Sequence, residues 1–319
     1  MEAATTRLPR AASAPESGWR RSDRVFVALC WAAGISLCLI AGALTLYMLF
    51  KGIQYLRPKL LTTHPVADLD QSKTGGFLDP LIGTVILALI GTLIALPLGV
   101  ASAVWLCEYG RPPALARAVE SGIEMVAGTP SIVLAIFGLL IFSQKALSFL
   151  SFTAAGNAVF GRSFFAAGAM MSLIALPLVF GATRSALQSI PGHVREASYA
   201  LGKTKAATIR RVLLPMSREG IATGTALGMG RIAGDTAVVL LLGGGTLQLE
   251  ANGSIPGLDV LRGTGSTLTT YVYANSPSGE GGAPQKAYAA AFLLLILVLI
   301  LNFVVDRIAR GKERLGWIR

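Results

Sequence analysis

Six stretches of 20 or more mostly apolar residues, 25–50, 80–106, 119–142, 163–185, 219–242 and 287–308, alternate with polar segments along the chain. At 1.5 Å per helical residue, each reaches or exceeds the roughly 30 Å hydrocarbon thickness of a bilayer. Each is therefore expected to cross a membrane as a helix, and the longer ones to tilt or project beyond it. A signal-peptide core spans only about 7–15 apolar residues, so the first stretch is expected to remain as an anchor. The pattern predicts an all-α membrane protein with six transmembrane helices.

Composition agrees. With 53% hydrophobic and 14% charged residues and a mean hydropathy of +0.62, the chain departs from the soluble norm of about 25% charged. Its cations are spread unevenly. The N-terminus, Arg111, Arg117, the segment 186–218 and the C-terminus share 18 Lys and Arg, against 8 in the three intervening segments. The cation-rich side is expected to face the cytoplasm, which places both termini there. This bias accounts for most of the net charge of +11. No basic run is interleaved with aromatics, so nucleic acid is not an expected partner, whereas the lipid bilayer is.

The organisation that follows is a disordered cytoplasmic tail (1–24), a first transmembrane helix (25–50), an outer loop (51–78), a core (79–308) and a cytoplasmic tail (309–319). The core holds an inner loop at 186–218 and an outer one at 243–286. The second outer loop, rich in Gly, Ser and Thr, reads as flexible linker. Alternatively, Leu268, Tyr271 and Val272 share a helical face that docks an extracytoplasmic protein. Cys30, Cys38 and Cys107 lie in or at the end of apolar stretches without close pairing, and the only histidines are His64 and His193. A metal site is not expected, nor any cofactor in this chain.

The inner loop is the most informative segment. Residues 193–202 suit a helix, Gly202 permits a turn, and 205–213 resumes a helix that Pro215 is expected to end. Such a helix pair offers a compact, partly apolar knob with a basic rim to a cytosolic groove; an amphipathic element lying on lipid headgroups would give the same pattern. Ala197, four residues, then Gly202-Lys203-Thr204 satisfies a relaxed phosphate-loop signature. That signature works only as a glycine-rich turn between a strand and a helix. Here no strand precedes it, and the chain itself is not read as an ATPase.

At this loop the chain resembles the permease subunits of ABC importers, whose cytoplasmic motif reads Glu-Ala-Ala, three residues, Gly, nine residues, Ile, one residue, Leu-Pro. Glu196, Ala197, Gly202, Leu214 and Pro215 match, with Ser198 and Val212 standing for Ala and Ile. The segments 128–133 (Gly-Thr-Pro-Ser-Ile-Val) and 231–237 (Arg-Ile-Ala-Gly-Asp-Thr-Ala) are similar to those of phosphate-specific permeases, the PstA type. The resemblance runs from about residue 76 to 308. It implies the type I importer fold, a bacterial plasma (inner) membrane location, and a coupling role for the loop. The implied partners are a second permease (PstC type), a homodimeric ATPase (PstB type) that carries ATP and Mg, an extracytoplasmic phosphate-binding protein (PstS type) and inorganic phosphate. The alternatives are a permease for another oxyanion, such as sulfate, molybdate or phosphonate, and a membrane signalling or scaffold protein that only docks through the loop.

Arg231 and Asp235 lie inside the fifth stretch, where an ionisable group is costly and marks a functional site. On a helix, Gly220, Gly224 and Gly228 fall at about 0°, 40° and 80°, while Arg231 and Asp235 fall at about 20° and 60°. Both charges are thus expected on the glycine stripe that admits a neighbouring helix. A guanidinium suits phosphate, with Asp235 holding Arg231 while the site is empty and Thr236 beside them. The phosphate-specific permeases usually carry Arg where this chain has Gly181, and Arg184 is the candidate replacement; it could equally snorkel to the cytoplasmic surface. Pro97, Pro130 and Pro177 are expected as kinks or hinges within spans.

Overall fold

Where the apolar stretches were expected, the computed structural model forms helices. It describes residues 21–66, 75–150, 160–246, 249, 258–277, 279 and 283–310. The tail expected at 1–24 lies outside the described residues up to residue 20, as do 311–319 of the C-terminal tail. Helix α1, Arg21–Tyr55, already includes the last residues assigned to the N-terminal tail. Among the described residues the only β pairing is an isolated bridge between Gly244 and Gly265.

Contacts divide the chain into two units, Met1–Leu49 and Phe50–Arg319. In the first, the side chains of α1 are almost all exposed, as those of a lipid-solvated helix would be. The second unit begins with the end of α1 and continues through α2 (Pro58–Thr62), α3 (Leu78–Val104, prolonged by a π-turn to Tyr109), α4 (Pro113–Gly128), α5 (Ser131–Phe142) and α6 (Phe164–Gln188). Then come α7 (Gly192–Ala200), α8 (Lys205–Thr208), a π-turn at Ile209–Leu213, α9 (Leu214–Met216) and α10 (Arg218–Ala233). A π-turn at Val239–Gly243, α11 (Leu258–Arg262), α12 (Leu268–Asn275) and α13 (Pro284–Arg310) complete it.

Among the described residues, four helices are long and apolar enough to cross a membrane: Ser22–Tyr55, Leu78–Tyr109, Phe164–Gln188 and Pro284–Ala309. The two other expected spans are broken. The stretch 119–142 is the pair α4 and α5, bent by 108°. Pro130 is responsible: it lacks a donor and holds Thr129 extended, at φ −80° and ψ 130°, so one helix stops and another starts. The stretch 219–242 stops at Ala233 and resumes as a π-turn. Pro97 and Pro177, by contrast, lie inside continuous helices.

Helices α3, α6 and α10 pack through small residues. A Cβ on Gly224 would come 2.8 Å from the Ala182 Cβ, and one on Gly220 only 2.4 Å from that of Ala186. The main apolar core joins Leu87, Phe164, Met171, Ile232 and Leu242. In the segment 243–286, α12 is packed into the chain as an ordered helix. Leu268 is 0% and Tyr271 1% exposed, packed with Phe77, Ala289 and Ala290. The Tyr271 ring meets Phe77 edge-on at 5.5 Å, and burial pushes its phenol up to about 12.

Candidate functional site

Helix α7 follows Pro191 and ends where Gly202 takes φ +72°, a conformation that glycine adopts without strain. The Gly202 and Lys203 amides donate to the Tyr199 and Ser198 carbonyls at 2.9 and 3.2 Å, closing the turn. Thr204 then caps α8, its hydroxyl accepting from the Ala207 amide at 3.3 Å. The helix pair expected at 193–213 is formed. One boundary differs, because Pro215 lies inside α9. The preceding π-turn, in which Leu214 N–H reaches back to Ile209, absorbs the proline's missing donor so that the helical path continues to Met216.

Polar contacts fix this pair to the ends of the long helices. Arg195 donates from Nε to Glu108 at 3.0 Å, and from its two terminal nitrogens to the Ile190 and Leu187 carbonyls at 2.8 and 2.9 Å. It thereby ties the end of α3 to the C-terminus of α6, where a cation is favoured. Lys205 bonds the Glu108 carbonyl and sits 4.7 Å over the Tyr109 ring. Between the two loop helices, Ser198 and Thr208 share a buried 2.8 Å hydrogen bond. Ile209 and Leu213 sink into a cluster with Phe180, Leu187 and Ile190.

The loop's outer surface is left bare. Glu196, Ala197 and Gly202 are exposed, and Leu201 is 78% exposed. Val212, Leu214 and Pro215 are partly buried beneath, and Ser198 is buried. A helix, not a strand, precedes Gly202, and Ala197 lies within it, so the phosphate-loop spacing has no phosphate-loop geometry. Among the described residues, no three His, Cys, Asp or Glu side chains gather to hold a metal.

The residues expected to meet an anion are separated. Arg231 is exposed on α10, in line with exposed Leu227 and Thr223 and away from Ile232, which is 1% exposed. The glycine stripe packs on α6 as expected, but it marks the edge of the buried arc rather than its centre. Buried residues run from Gly224 at about 40° to Ala233 at about 220°, which leaves Arg231 at about 20° outside. Asp235 does not pair with Arg231. The helix ends before it, and its carboxylate, in a residue 7% exposed, accepts from the Val238 amide at 3.0 Å, capping the next turn. Its carbonyl accepts from Thr269 at 3.2 Å. Thr236 is partly buried beside it. Arg184 is bound to Glu120 of α4, each about one-third exposed. Glu108, Arg195 and Thr208 were not singled out from the sequence; Gly234 followed by Asp235 is a readable stop-and-cap signal.

A bundle of apolar helices that carries an exposed polar helix pair fits the membrane component of a multi-subunit transport system. Residues 95–314 match the family described as binding-protein-dependent transport system inner membrane component, and the chain belongs to it. It is a multi-pass membrane protein. The chain is 33% identical over 250 residues, 77% of this chain and 75% of the relative, to phosphate transport system permease protein PstA 1 of Mycobacterium tuberculosis. It is 29% identical over 96% of both chains to phosphate transport system permease protein PstC of Xylella fastidiosa. Among solved structures it resembles a chain of a bacterial alginate ABC transporter, at a TM-score of 0.59 and 15% identity, covering 91% of this chain and 96% of that one. It also resembles the MetNI methionine ABC transporter, at 0.52 and 22%, covering 73% and 92%.

Proposed function

We propose that the chain is a permease subunit of an ATP-driven phosphate importer, working beside a second, related permease. The observation that carries this reading is Arg231: a guanidinium without an ion pair among the described residues, on an exposed face of α10 beside the break at 234–236. The names of the relatives support phosphate as the solute, and the likeness to importer chains supports the two-permease arrangement.

In this reading all six stretches belong to the bilayer-embedded bundle, with both termini cytoplasmic. The exposed face of α10 meets the second permease, PstC type, and the anion passes between them along Arg231. Asp235 and Thr236 shape the backbone there. Arg184, held by Glu120, supplies positive potential without a direct bond unless that pair opens. The tip formed by Glu196, Ala197, Leu201 and Gly202 docks on a homodimeric ATPase, PstB type, on which ATP and Mg are bound; a PstS-type protein delivers phosphate from outside. Ser198, Val212, Leu214 and Pro215 hold the tip in shape. This chain breaks no bonds and is not an enzyme.

The test is ATP-dependent uptake by the complex reconstituted in vesicles. Phosphate should be taken up, with sulfate, molybdate and phosphonate competing poorly. Glu196→Lys should weaken association with the ATPase without changing the melting of this subunit. Preferred uptake of another oxyanion would replace the assigned solute. Intact coupling in Glu196→Lys would refute the docking role, and no solute movement at all would favour a scaffold.

A further inference from the structure

At the inner end of the bundle, α3, α10 and α13 leave an apolar groove of about 400 Å³ between them. Leu96, Ile221, Ala222, Met229, Val305 and Ile308 line it, and Arg218 stands at its mouth. Two further hollows, of about 440 and 420 Å³, continue from Arg218 to Arg211 and Arg210. Among the described residues these three guanidiniums make no ion pair or side-chain hydrogen bond, and Glu219 is the one carboxylate among the groups lining the three hollows.

In the importer reading, taking Leu78 as the outer hydrocarbon boundary sets their height in the membrane. From Leu78 to Val100 the helix rises about 33 Å, the full hydrocarbon thickness. Val100 shares a hollow with Arg210 and Arg218. The three arginines therefore stand at the headgroup level, while the groove below them, down to Met229 on α10, lies at acyl depth. Thr92 lines the groove at acyl depth, with a buried hydroxyl that has no hydrogen-bond partner.

We infer that this groove holds an anionic phospholipid of the inner leaflet, its acyl chain between α3, α10 and α13 and its phosphate among Arg210, Arg211 and Arg218. The orientation rests on the importer reading; the groove and its charges do not. A cytosolic protein cannot fill a hollow below the headgroups, and a zwitterionic lipid brings an ammonium that three guanidiniums repel. Because Arg210 and Arg211 sit on the π-turn that follows α8, the lipid would brace the coupling loop against the spans.

The test uses the assembled transporter, purified from nanodiscs of phosphatidylcholine with a minor share of phosphatidylglycerol, and reads retained lipid by native mass spectrometry. Wild type should retain phosphatidylglycerol preferentially, and Arg218→Gln should lower that retention about fivefold. Ile308→Trp, at an exposed position, and Ala222→Leu should each narrow the groove and displace the lipid with every charge in place. Equal retention of both lipids, or retention unchanged by these substitutions, would overturn the inference. So would loss in Arg218→Gln with none in either groove variant, which would reduce the effect to surface attraction. Arginine variants that shed the ATPase and keep the lipid would name the ATPase as the occupant instead. Lipid retention is read without any solute, so it stands or falls apart from phosphate uptake.

Discussion

The coupling loop and the Arg231 segment of α10 carry the chain's two most telling sets of charges and treat them in opposite ways. In the loop, Arg195 has three acceptors, Lys205 has a carbonyl and a ring, and even the buried Ser198 and Thr208 hydroxyls satisfy each other. On α10, Arg231 has no ion pair or side-chain hydrogen bond among the described residues, and the neighbouring carboxylate is spent on the backbone. A loop finished within one chain transmits force as a solid body. A cation left unfinished is completed by something from outside, either a second chain or a passing anion.

The largest expected break in this contrast comes from Arg231→Ala. Removing a charge-assisted contact to the anion, roughly 1.5–3 kcal/mol, should lower reconstituted phosphate uptake by about 10- to 100-fold. Because the side chain holds nothing within this subunit, thermal melting should stay unchanged. Arg231→Lys should recover only part of the rate, since a point charge lacks the planar fork. Uptake undiminished in Arg231→Ala would end the assignment.

Arg195→Ala should do the reverse. It leaves Glu108, whose side chain is 6% exposed, without its cation and frees two carbonyls at the end of α6. A cost on the order of 3 kcal/mol is expected in the melting of the subunit, with ATP hydrolysis partly uncoupled from uptake. Equal melting of Arg195→Ala and Arg231→Ala would erase the distinction between the regions. Ser198→Ala is a smaller probe, expected to cost about 1 kcal/mol by orphaning the Thr208 hydroxyl's acceptor role, and to raise hydrogen exchange in α8. The smallest effect is one of pH. Tyr271 ionises at about 12 in the folded chain, against about 10 when exposed. Its contribution is therefore full below pH 10 and lost as pH rises towards 12, and Tyr271→Phe should flatten that part of a melting-versus-pH curve.

The loop was legible because its signals are local: a Gly between two short helical runs. What escaped there was long-range, since Glu108 lies 87 residues from Arg195. The spans were legible as apolar stretches but not as continuous helices. Pro130 and the Gly234-Asp235 stop each cut one, although Pro97 and Pro177 cut neither, so the residue type alone did not decide. The helical wheel put Arg231 on the glycine stripe of α10, and within this chain that stripe is the edge of the packed arc, because a stripe shows that a helix packs without showing how wide the packed arc is. Leu268 and Tyr271 read as part of a flexible linker or of an outer docking face; their packing on Phe77, far away in sequence, was not legible.

Glu108 is gripped by Arg195 from one side, and its carbonyl by Lys205 from the other, at the very tip of a helix that runs back through the whole bundle. In the proposed reading, a push on the loop would act as a crank on the shafts of α3 and α6 together, since Arg195 grips the ends of both.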